Sequence, residues 1–314
     1  MHTQPSLEEF IDRSKEFDII AVRAEFTADA ETPLSAYSKL SKRKPAFLFE
    51  SVVGGEQVGR FSFVGCNPKK IISCGQKEST IIETGSPVRK IQTPPDPLKL
   101  VEQEMEGIDY LGFDDQTRFS GGAVGYISYE YANRVEPTVP LHKEDNLNLP
   151  LIYFMIADLV LIFDHARQSL TICANAVTGK DPEVSYIEAC KRIQETVELL
   201  SFPSNLKPAS LNENETIENP NGNLSKKDFE DLVSKTKEFI RSGDIIQAVL
   251  SQRFSLPYSG PPLNLYRAIR AINPSPYMFL LEGEDFSVVG ASPEVHVRLT
   301  GQDVLIRPIA GTRP

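Results

Sequence analysis

Hydrophobic and polar residues alternate with the period of β-strands over several parts of the chain. Residues 46–74 alternate aromatic or β-branched side chains with small or polar ones, and a Gly-Gly pair and an Asn-Pro pair interrupt them. The pattern recurs at residues 119–129 and at residues 151–172, where residues 165–168 suit a hairpin turn. Alternation broken by turn-forming residues predicts several runs of short strands.

Apolar residues spaced three or four positions apart predict helices between these strands. A short helix is predicted at residues 98–105 and an amphipathic surface helix at residues 182–200. The apolar positions of the second helix are Val184, Ile187, Ile193, Val197 and Leu200.

The segment after residue 223 mixes helices with strands. Ser225, with Asp228 three positions on, forms a helix-capping pattern, and Gly243 is expected to end that helix. A strand at residues 244–254, a helix at residues 263–272 and a meander of three strands at residues 277–309 are predicted next. Strand runs separated by single helices predict an α+β fold with antiparallel sheets.

Residues 201–223 are rich in Asn, Glu, Pro and Ser and offer little to bury. Such a composition is typical of a linker or a long surface loop. We therefore predict a first domain at residues 1–205, a linker or surface loop at residues 206–223, and a second domain at residues 224–314.

Composition excludes some classes of function. A hydrophobic share of 40% with 24% charged residues is typical of a globular protein, and a net charge of -10 argues against a nucleic-acid partner. The most apolar stretch, residues 149–163, is interrupted by Pro150 and Asp158, so it predicts buried strands rather than a membrane span. The polar start carries no targeting pattern, and the four cysteines have no CxxC spacing. We expect a cytoplasmic protein with free thiols and no membrane partner.

The usual catalytic motifs are absent from the sequence. It contains no phosphate-binding glycine loop, no metal-ligand histidine pair and no nucleophile elbow. His2, His142 and His165 fall in predicted loops, and His296 alternates with valines on a predicted strand. Structural or surface roles are therefore expected for all four histidines.

Seven short segments, in their order, resemble the chorismate-utilising enzymes and, within them, the large subunit of anthranilate synthase (component I). They are residues 47–51 (FLFES), 60–65 (RFSFVG), 121–126 (GGAVGY), 243–247 (GDIIQ), 273–278 (NPSPYM), 290–294 (GASPE) and 308–313 (PIAGTR). One segment alone is a weak match, but seven in order over nearly the full length are specific. The resemblance implies the family's α+β fold, with its N-terminal domain and the start of its chorismate-binding domain.

Two positions bear on which reaction of this family applies. In the isochorismate and salicylate synthases a lysine matches Gln247 and activates water as a base, which an amide cannot do. Aminodeoxychorismate synthases commonly carry a lysine that matches Ala310 and can form a covalent adduct with substrate. Both residues favour anthranilate synthase. The alternative is the aminodeoxychorismate synthase large subunit, since some of these also lack the lysine, and Gln247 also fits a merely structural strand residue.

The resemblance also implies two ligand sites. Gly311 and Thr312 match the family's chorismate-contacting turn, and their backbone and hydroxyl donors suit a carboxylate, although a simple strand-end turn fits them too. The family's tryptophan inhibitor site matches Glu50, Ser51, Asn273, Pro276, Tyr277 and Met278. A carboxylate, hydroxyl and loop backbone groups suit the polar ends of an amino acid. Core packing for Met278 and a surface role for Glu50 are the plain alternatives.

The implied reaction converts chorismate and ammonia to anthranilate and pyruvate, the first step of tryptophan synthesis. By resemblance, Mg²⁺ holds the substrate carboxylate, and a partner glutamine amidotransferase (component II) supplies the ammonia. The family's catalytic histidine and metal-binding glutamates follow the motif at residues 308–313, so catalytic and metal residues are expected beyond Pro314. We expect the chain to be an amino-terminal fragment that is inactive alone. A second hypothesis for it is an inactive tryptophan-binding module.

Overall fold

The computed structural model describes residues 1–52, 59–113, 119–141, 145–179, 181–208 and 219–309. Its α-helices are α1 (Leu7–Arg13), α2 (Pro33–Leu40), α3 (Leu98–Met105), α4 (Ala132–Val135), α5 (Pro182–Ser201), α6 (Lys226–Ser242) and α7 (Pro262–Ile272). Its strands are β1 (Ile19–Thr27), β2 (Ala46–Glu50), β3 (Phe61–Cys66), β4 (Lys70–Cys74), β5 (Glu78–Glu83), β6 (Arg89–Gln92), β7 (Tyr110–Leu111), β8 (Gly122–Ile127), β9 (Ile152–Ala157), β10 (Leu159–Asp164), β11 (Ser169–Val177), β12 (Asn221–Gly222), β13 (Phe254–Ser255), β14 (Tyr277–Glu282), β15 (Ser287–Ser292), β16 (Arg298–Thr300) and β17 (Asp303–Leu305).

The chain divides into two compact units. The first combines Met1–Lys207 with Pro262–Pro314, and the second is Pro208–Pro261. The late segment joins the early one because β14 pairs with β2. The domain boundary at residues 206–223 stays a prediction, and residues 209–218 of that predicted linker lie outside the described residues.

An eight-stranded sheet with the order β15-β14-β2-β3-β10-β11-β1-β7 forms the centre of the first unit. Its neighbouring strands are antiparallel, except that β7 runs parallel to β1. In the β14–β2 pair, Met278 lies opposite Glu50 and Leu280 lies opposite Leu48. The predicted α+β fold with antiparallel sheets is confirmed.

Helices α1, α2, α5 and α7 pack on one face of this sheet. Phe10, Tyr37, Ile193 and Tyr266, one from each helix, are fully buried there with sheet residues such as Leu48. Alternate residues of each strand point to this face, so the strand period sets which side chains meet the helices. Burying a side chain of this size contributes about 1.5–3 kcal/mol.

A five-stranded sheet with the order β6-β5-β4-β9-β8 packs on the opposite face. Phe47 and Val160 of the larger sheet share a buried cluster with Val124 and Met155 of the smaller one. Helix α3 packs on the outer side of the smaller sheet, where its apolar residues contact a cluster that includes Ile72. The first unit therefore stacks helices, two sheets and a further helix.

The apolar stretch at residues 149–163 forms buried strands, as predicted, but they belong to different sheets. Strand β9 pairs with β4 and β8, whereas β10 pairs with β3 and β11. Asp158 lies between β9 and β10, and its carboxylate forms an ion pair with Arg192 of α5 at 3.0 Å. The polar residue that interrupts the apolar pattern thus marks where the chain passes from one sheet to the other.

Helix α5 forms as predicted, but its apolar positions only partly coincide with its buried face. Val184 and Ile187 are 48% and 55% exposed. The buried residues are Tyr186, Ala189, Ile193, Thr196 and Leu200. Ile193 and Leu200 are buried as the pattern predicts, whereas burial of Tyr186 and Thr196 is not indicated by hydropathy alone.

The second unit contains α6 and a short antiparallel pair of strands, β12 and β13, which lie before and after this helix in the chain. Helix α6 begins with the expected capping box, in which Ser225 Oγ accepts from the Asp228 amide at 3.2 Å, and ends at Gly243 with a φ of 86°. The strand predicted at residues 244–254 is wrong, because only Phe254–Ser255 pairs with a neighbour. An alternating apolar pattern forms a strand only where a partner strand supplies hydrogen bonds.

The predicted three-stranded meander at residues 277–309 is also wrong in detail. The segment forms two hairpins, β14–β15 in the large sheet and β16–β17 as a separate pair. The predicted turn at Gly301 is present, with a φ of 59°. His296 lies between β15 and β16, so its predicted strand position is wrong. Pro293, which cannot donate a ladder hydrogen bond, follows the end of β15.

We expect the substitution Gly125→Ala to destabilise the first unit strongly. A Cβ at Gly125 would lie 1.8 Å from the carbonyl oxygen of Tyr153, so β8 and β9 would have to move apart. Overpacking of this kind costs about 3 kcal/mol. Thermal unfolding measures the effect. In the control Gly290→Ala the nearest atoms belong to the side chain of Phe279 rather than to backbone, so a loss as large as that of Gly125→Ala would contradict this account.

Candidate functional site

The predicted inhibitor-site residues come together at one end of the large sheet. Glu50 is the last residue of β2 and lies opposite Met278 near the start of β14. The loop between α7 and β14 closes against the chain after β2, where the Val52 amide donates to Ser275 O at 3.3 Å. The two segments singled out from the sequence are therefore neighbours in the fold, while their ligand-binding role stays a prediction.

Glu50 is the buried charge at the centre of this site. The residue is 5% exposed, and its Oε2 accepts hydrogen bonds from the Tyr266 hydroxyl at 2.6 Å and from Arg270 Nε at 3.2 Å. Nη2 of Arg270 lies 3.5 Å from Glu50 Oε1. A buried carboxylate without such partners would be costly, so the two donors explain how Glu50 tolerates burial.

Both donors come from helix α7, four residues apart. Residues at this spacing lie on the same helix face, which brings the tyrosine and the arginine to the same carboxylate. Burial, followed by the negative charge of Glu50, raises the pKa of Tyr266 far above its usual value. Tyr266 therefore stays protonated and acts as a hydrogen-bond donor to Glu50.

The remaining predicted residues differ in their exposure. Ser51 Oγ is buried and has no hydrogen-bond partner among the described residues. Met278 is 1% exposed and packs in the core, which was the alternative to a ligand-binding role for this residue. Pro276 and Tyr277 are half-buried, and Asn273 is exposed. Among the described residues, the site thus offers one unpaired buried hydroxyl beside a paired buried carboxylate.

Two further polar pairs, Ser62 with His165 and Arg60 with Asp164, were not assigned a role from the sequence. Ser62 is fully buried, and its Oγ lies 2.7 Å from His165 Nε2. Arg60 donates to both oxygens of Asp164 at 2.7–3.1 Å. Burial alone would raise the pKa of Asp164, but the hydrogen bonds from Arg60 and nearby amides outweigh it and lower that pKa.

The other predicted site residues are placed elsewhere or not described. Gln247 is exposed in the second unit and does not lie on a strand. Ala310, Gly311 and Thr312 lie outside the described residues. The assignments of a chorismate contact and of the class-discriminating positions therefore stay predictions.

Two further kinds of feature are absent from the described residues. In this part of the chain, no group of three or more His, Cys, Asp or Glu side chains is arranged to hold a metal ion. Within the same ranges, no helix is long and apolar enough to cross a membrane.

Two cavities lie away from Glu50. One of about 260 Å³ is lined by Arg43, Cys66, Asn67, Leu159, Arg192, Glu195 and Thr196. The other, of about 470 Å³, is lined within the second unit by residues that include Phe229 and Phe254. In the first cavity the buried Thr196 hydroxyl already donates to Arg192 O at 2.8 Å, and the Glu195 side chain is 46% exposed. Glu50 and its neighbours, with a buried carboxylate, are therefore the better candidate.

We expect Tyr266→Phe to lower the free energy of unfolding by about 2 kcal/mol, because it removes a hydrogen bond to a buried charge. Thermal unfolding measures this loss. Tyr258→Phe is the matched control, since the Tyr258 hydroxyl donates to Pro261 O in an exposed position. A melting temperature of Tyr266→Phe equal to that of the control would contradict the role given to Tyr266.

The burial of His165 gives a prediction for how the stability of the protein depends on pH. Burial lowers its pKa, against the carboxylates of Glu50 and Asp164, which favour protonation. The unfolded chain, with a histidine pKa of about 6.5, therefore binds this proton first, so stability falls as the pH drops below about 6.5. We expect His165→Gln to melt with a shallower pH dependence than the parent between about pH 5.5 and 7.5. A slope for His165→Gln equal to that of the parent protein would rule this out.

Comparison with known proteins gives the family. A profile of the chorismate binding enzyme family matches residues 44–314. Anthranilate synthase component 1 of Acetivibrio thermocellus is 37% identical over 98% of this chain, and that of Aquifex aeolicus is 35% identical over 100% of it. The chain spans 63% of the length of each.

A solved structure agrees in fold. Anthranilate synthase component I from Streptococcus pneumoniae superposes with a TM-score of 0.63 over 89% of this chain and 59% of its own, at 24% identity. The resemblance carried by the seven short segments is confirmed by these matches. By the extent of the profile match, the chain belongs to the chorismate binding enzyme family.

Proposed function

We propose that the full-length protein carrying this chain is the large subunit of an anthranilate synthase. It converts chorismate and ammonia to anthranilate and pyruvate, the first step of tryptophan biosynthesis. The observation that carries the proposal is the relation of 98% of the chain to a protein named anthranilate synthase component 1.

Gln247 supports the choice of reaction within the family. It is exposed, and its amide has no proton that titrates in the accessible range. It cannot act as the base that would activate water as the nucleophile. Ammonia is itself a nucleophile and needs no such base, which suits a lyase that adds ammonia. Ala310 likewise has no side-chain nucleophile with which to form an adduct.

Feedback inhibition by tryptophan belongs to the same proposal. Glu50 supplies a carboxylate for the ligand's ammonium, and the buried Ser51 hydroxyl lacks a partner among the described residues. Tyr277 and Pro276 are half-buried at the same end of the sheet and present apolar surface to an indole. The alternative for the chain taken alone, an inactive tryptophan-binding module, uses these same residues.

The full reaction needs groups beyond those described. We assign Mg²⁺ as cofactor, with ligands beyond Pro314, because oxygen ligands and a substrate carboxylate suit this ion. A glutamine amidotransferase is the proposed partner that supplies ammonia. We place the protein in the cytoplasm, where the free thiols of Cys66, Cys74, Cys173 and Cys190 stay reduced.

The test is the fluorescence of anthranilate formed by the full-length protein from chorismate, Mg²⁺ and ammonia, with and without tryptophan. We expect product formation that tryptophan suppresses. Omitting Mg²⁺ controls for the cofactor, and the 314-residue chain alone is expected to form no anthranilate.

Each contrary outcome has its own meaning. A folded full-length protein that consumes chorismate without releasing anthranilate would replace the proposal with an aminodeoxychorismate synthase large subunit. Anthranilate formation that tryptophan leaves unchanged would keep the enzyme activity and remove the feedback site. Turnover by the 314-residue chain alone would contradict its inactivity.

A further inference from the structure

We propose that Arg270 binds the carboxylate of the amino-acid ligand whose ammonium group is held by Glu50. In the absence of ligand, the Glu50–Arg270 ion pair then fills a site whose two charges would otherwise bind the two charged groups of a zwitterion. The inference rests on the feedback site of the proposed function, and it assigns a side chain to the half of the ligand that the sequence left to a hydroxyl and backbone groups.

The charges of the pair match those of the ligand. Glu50 and Arg270 present a carboxylate and a guanidinium 3.2 Å apart. A free α-amino acid carries an ammonium and a carboxylate on one carbon, so it can pair with both groups at once when the two side chains separate. Guanidinium groups bind carboxylates in a planar, two-bonded geometry that an ammonium cannot reproduce.

The two oxygens of Glu50 are used unequally. Oε2 accepts from the Tyr266 hydroxyl at 2.6 Å, which is a strong contact. In the described part of the chain, the contact of Oε1 is with Arg270 Nη2 at 3.5 Å, a distance at the limit for a hydrogen bond. Oε1 is therefore the position at which an ammonium group improves on the present contact.

A second observation also indicates a missing ligand group. The hydroxyl of Ser51 follows Glu50 directly in the chain and is buried without a partner in the described ranges. Buried hydroxyls are nearly always hydrogen-bonded, because leaving one unpaired costs free energy. A polar ligand group beside Glu50 would satisfy it.

Exposure indicates which donor of the present pair moves. The Arg270 side chain is 41% exposed, whereas that of Glu50 is 4% exposed and Tyr266 is fully buried. Arg270 can turn toward a ligand at the surface without opening the core. Tyr266 stays bonded to Oε2, so the carboxylate keeps one donor throughout the exchange.

The rival explanation is that Arg270 only neutralises Glu50 and fixes helix α7. The two explanations differ in their effect on ligand chemistry. If Arg270 contacts the ligand carboxylate, its loss matters only for ligands that have one. If its role is structural, its loss weakens binding of every ligand by the same factor.

The experiment compares L-tryptophan with L-tryptophanamide, which lacks the carboxylate charge, by titration calorimetry on the full-length protein. We expect the parent protein to bind tryptophan at least about tenfold more tightly than the amide. In Arg270→Gln, tryptophan binding should weaken about tenfold while amide binding changes less than about threefold, so the preference disappears. Arg270→Lys should keep an intermediate preference, since it retains the charge without the planar geometry.

Arg267→Gln is the matched control on the same helix. Arg267 Nη2 donates to Lys207 O at 2.7 Å, away from Glu50, so this variant should keep the parent's preference. Melting temperatures show that each variant is folded. If Arg270→Gln does not fold, the preference of Arg270→Lys decides in its place.

A preference for tryptophan over the amide that persists unchanged in the folded Arg270 variants would overturn the assignment of Arg270 and leave the feedback site intact. A folded parent protein that binds no tryptophan would overturn the feedback site and this assignment together. A preference lost equally in Arg267→Gln would also overturn the assignment, because the effect would then belong to helix α7 as a whole.

Discussion

The pairing of β14 with β2 is the contact on which the rest of the first unit depends. A buried carboxylate lies at each end of this pair: Glu50 at one end and Glu282, which is 4% exposed, at the other. Glu282 accepts a hydrogen bond from the buried Tyr37 hydroxyl of α2 and forms an ion pair with Lys44 Nζ at 2.8 Å. Each carboxylate thus ties a helix-borne tyrosine to the same two strands, and through them joins the early and late parts of the chain.

This arrangement also explains why a candidate ligand site and a structural anchor occupy the same place. A buried carboxylate is tolerated only with donors around it, and those donors come from α7, which leads directly into the loop of the site. A ligand that exchanges with one donor therefore acts on the position of α7 and β14. In the proposed feedback site, ligand recognition and fold stability therefore depend on the same hydrogen bonds.

Much of the fold follows from local patterns in the sequence. The strands at residues 46–74, the helix at residues 182–200 and the capped helix that ends at Gly243 all form where their periods and caps predict. These features depend on neighbours along the chain, which a sequence displays directly. The strand predicted at residues 244–254 fails for the opposite reason, because strand formation depends on a partner that local patterns do not reveal.

In the candidate site, too, some features could be predicted from the sequence and others depend on long-range pairing. Glu50 and Ser51 were singled out by resemblance to a family, and the fold brings them beside the loop predicted with them. Tyr266 and Arg270 were missed, although their spacing of four residues on one helix face was a signal that two side chains project together. What they project toward is fixed only by the long-range strand pairing.

That strand pairing has a consequence for how the protein is made. Glu50 and Tyr266 are 216 residues apart, so the ribosome must add that length of chain before β2 meets its late partners. At ordinary rates of synthesis this takes about 10 to 40 seconds. Throughout that interval one edge of β2 has no partner strand and its apolar residues lack part of their cover, which exposes the nascent chain to aggregation. The free edge of β2 is thus protected from aggregation only after β14 has been synthesised. Chaperones have the interval of synthesis in which to bind the nascent chain.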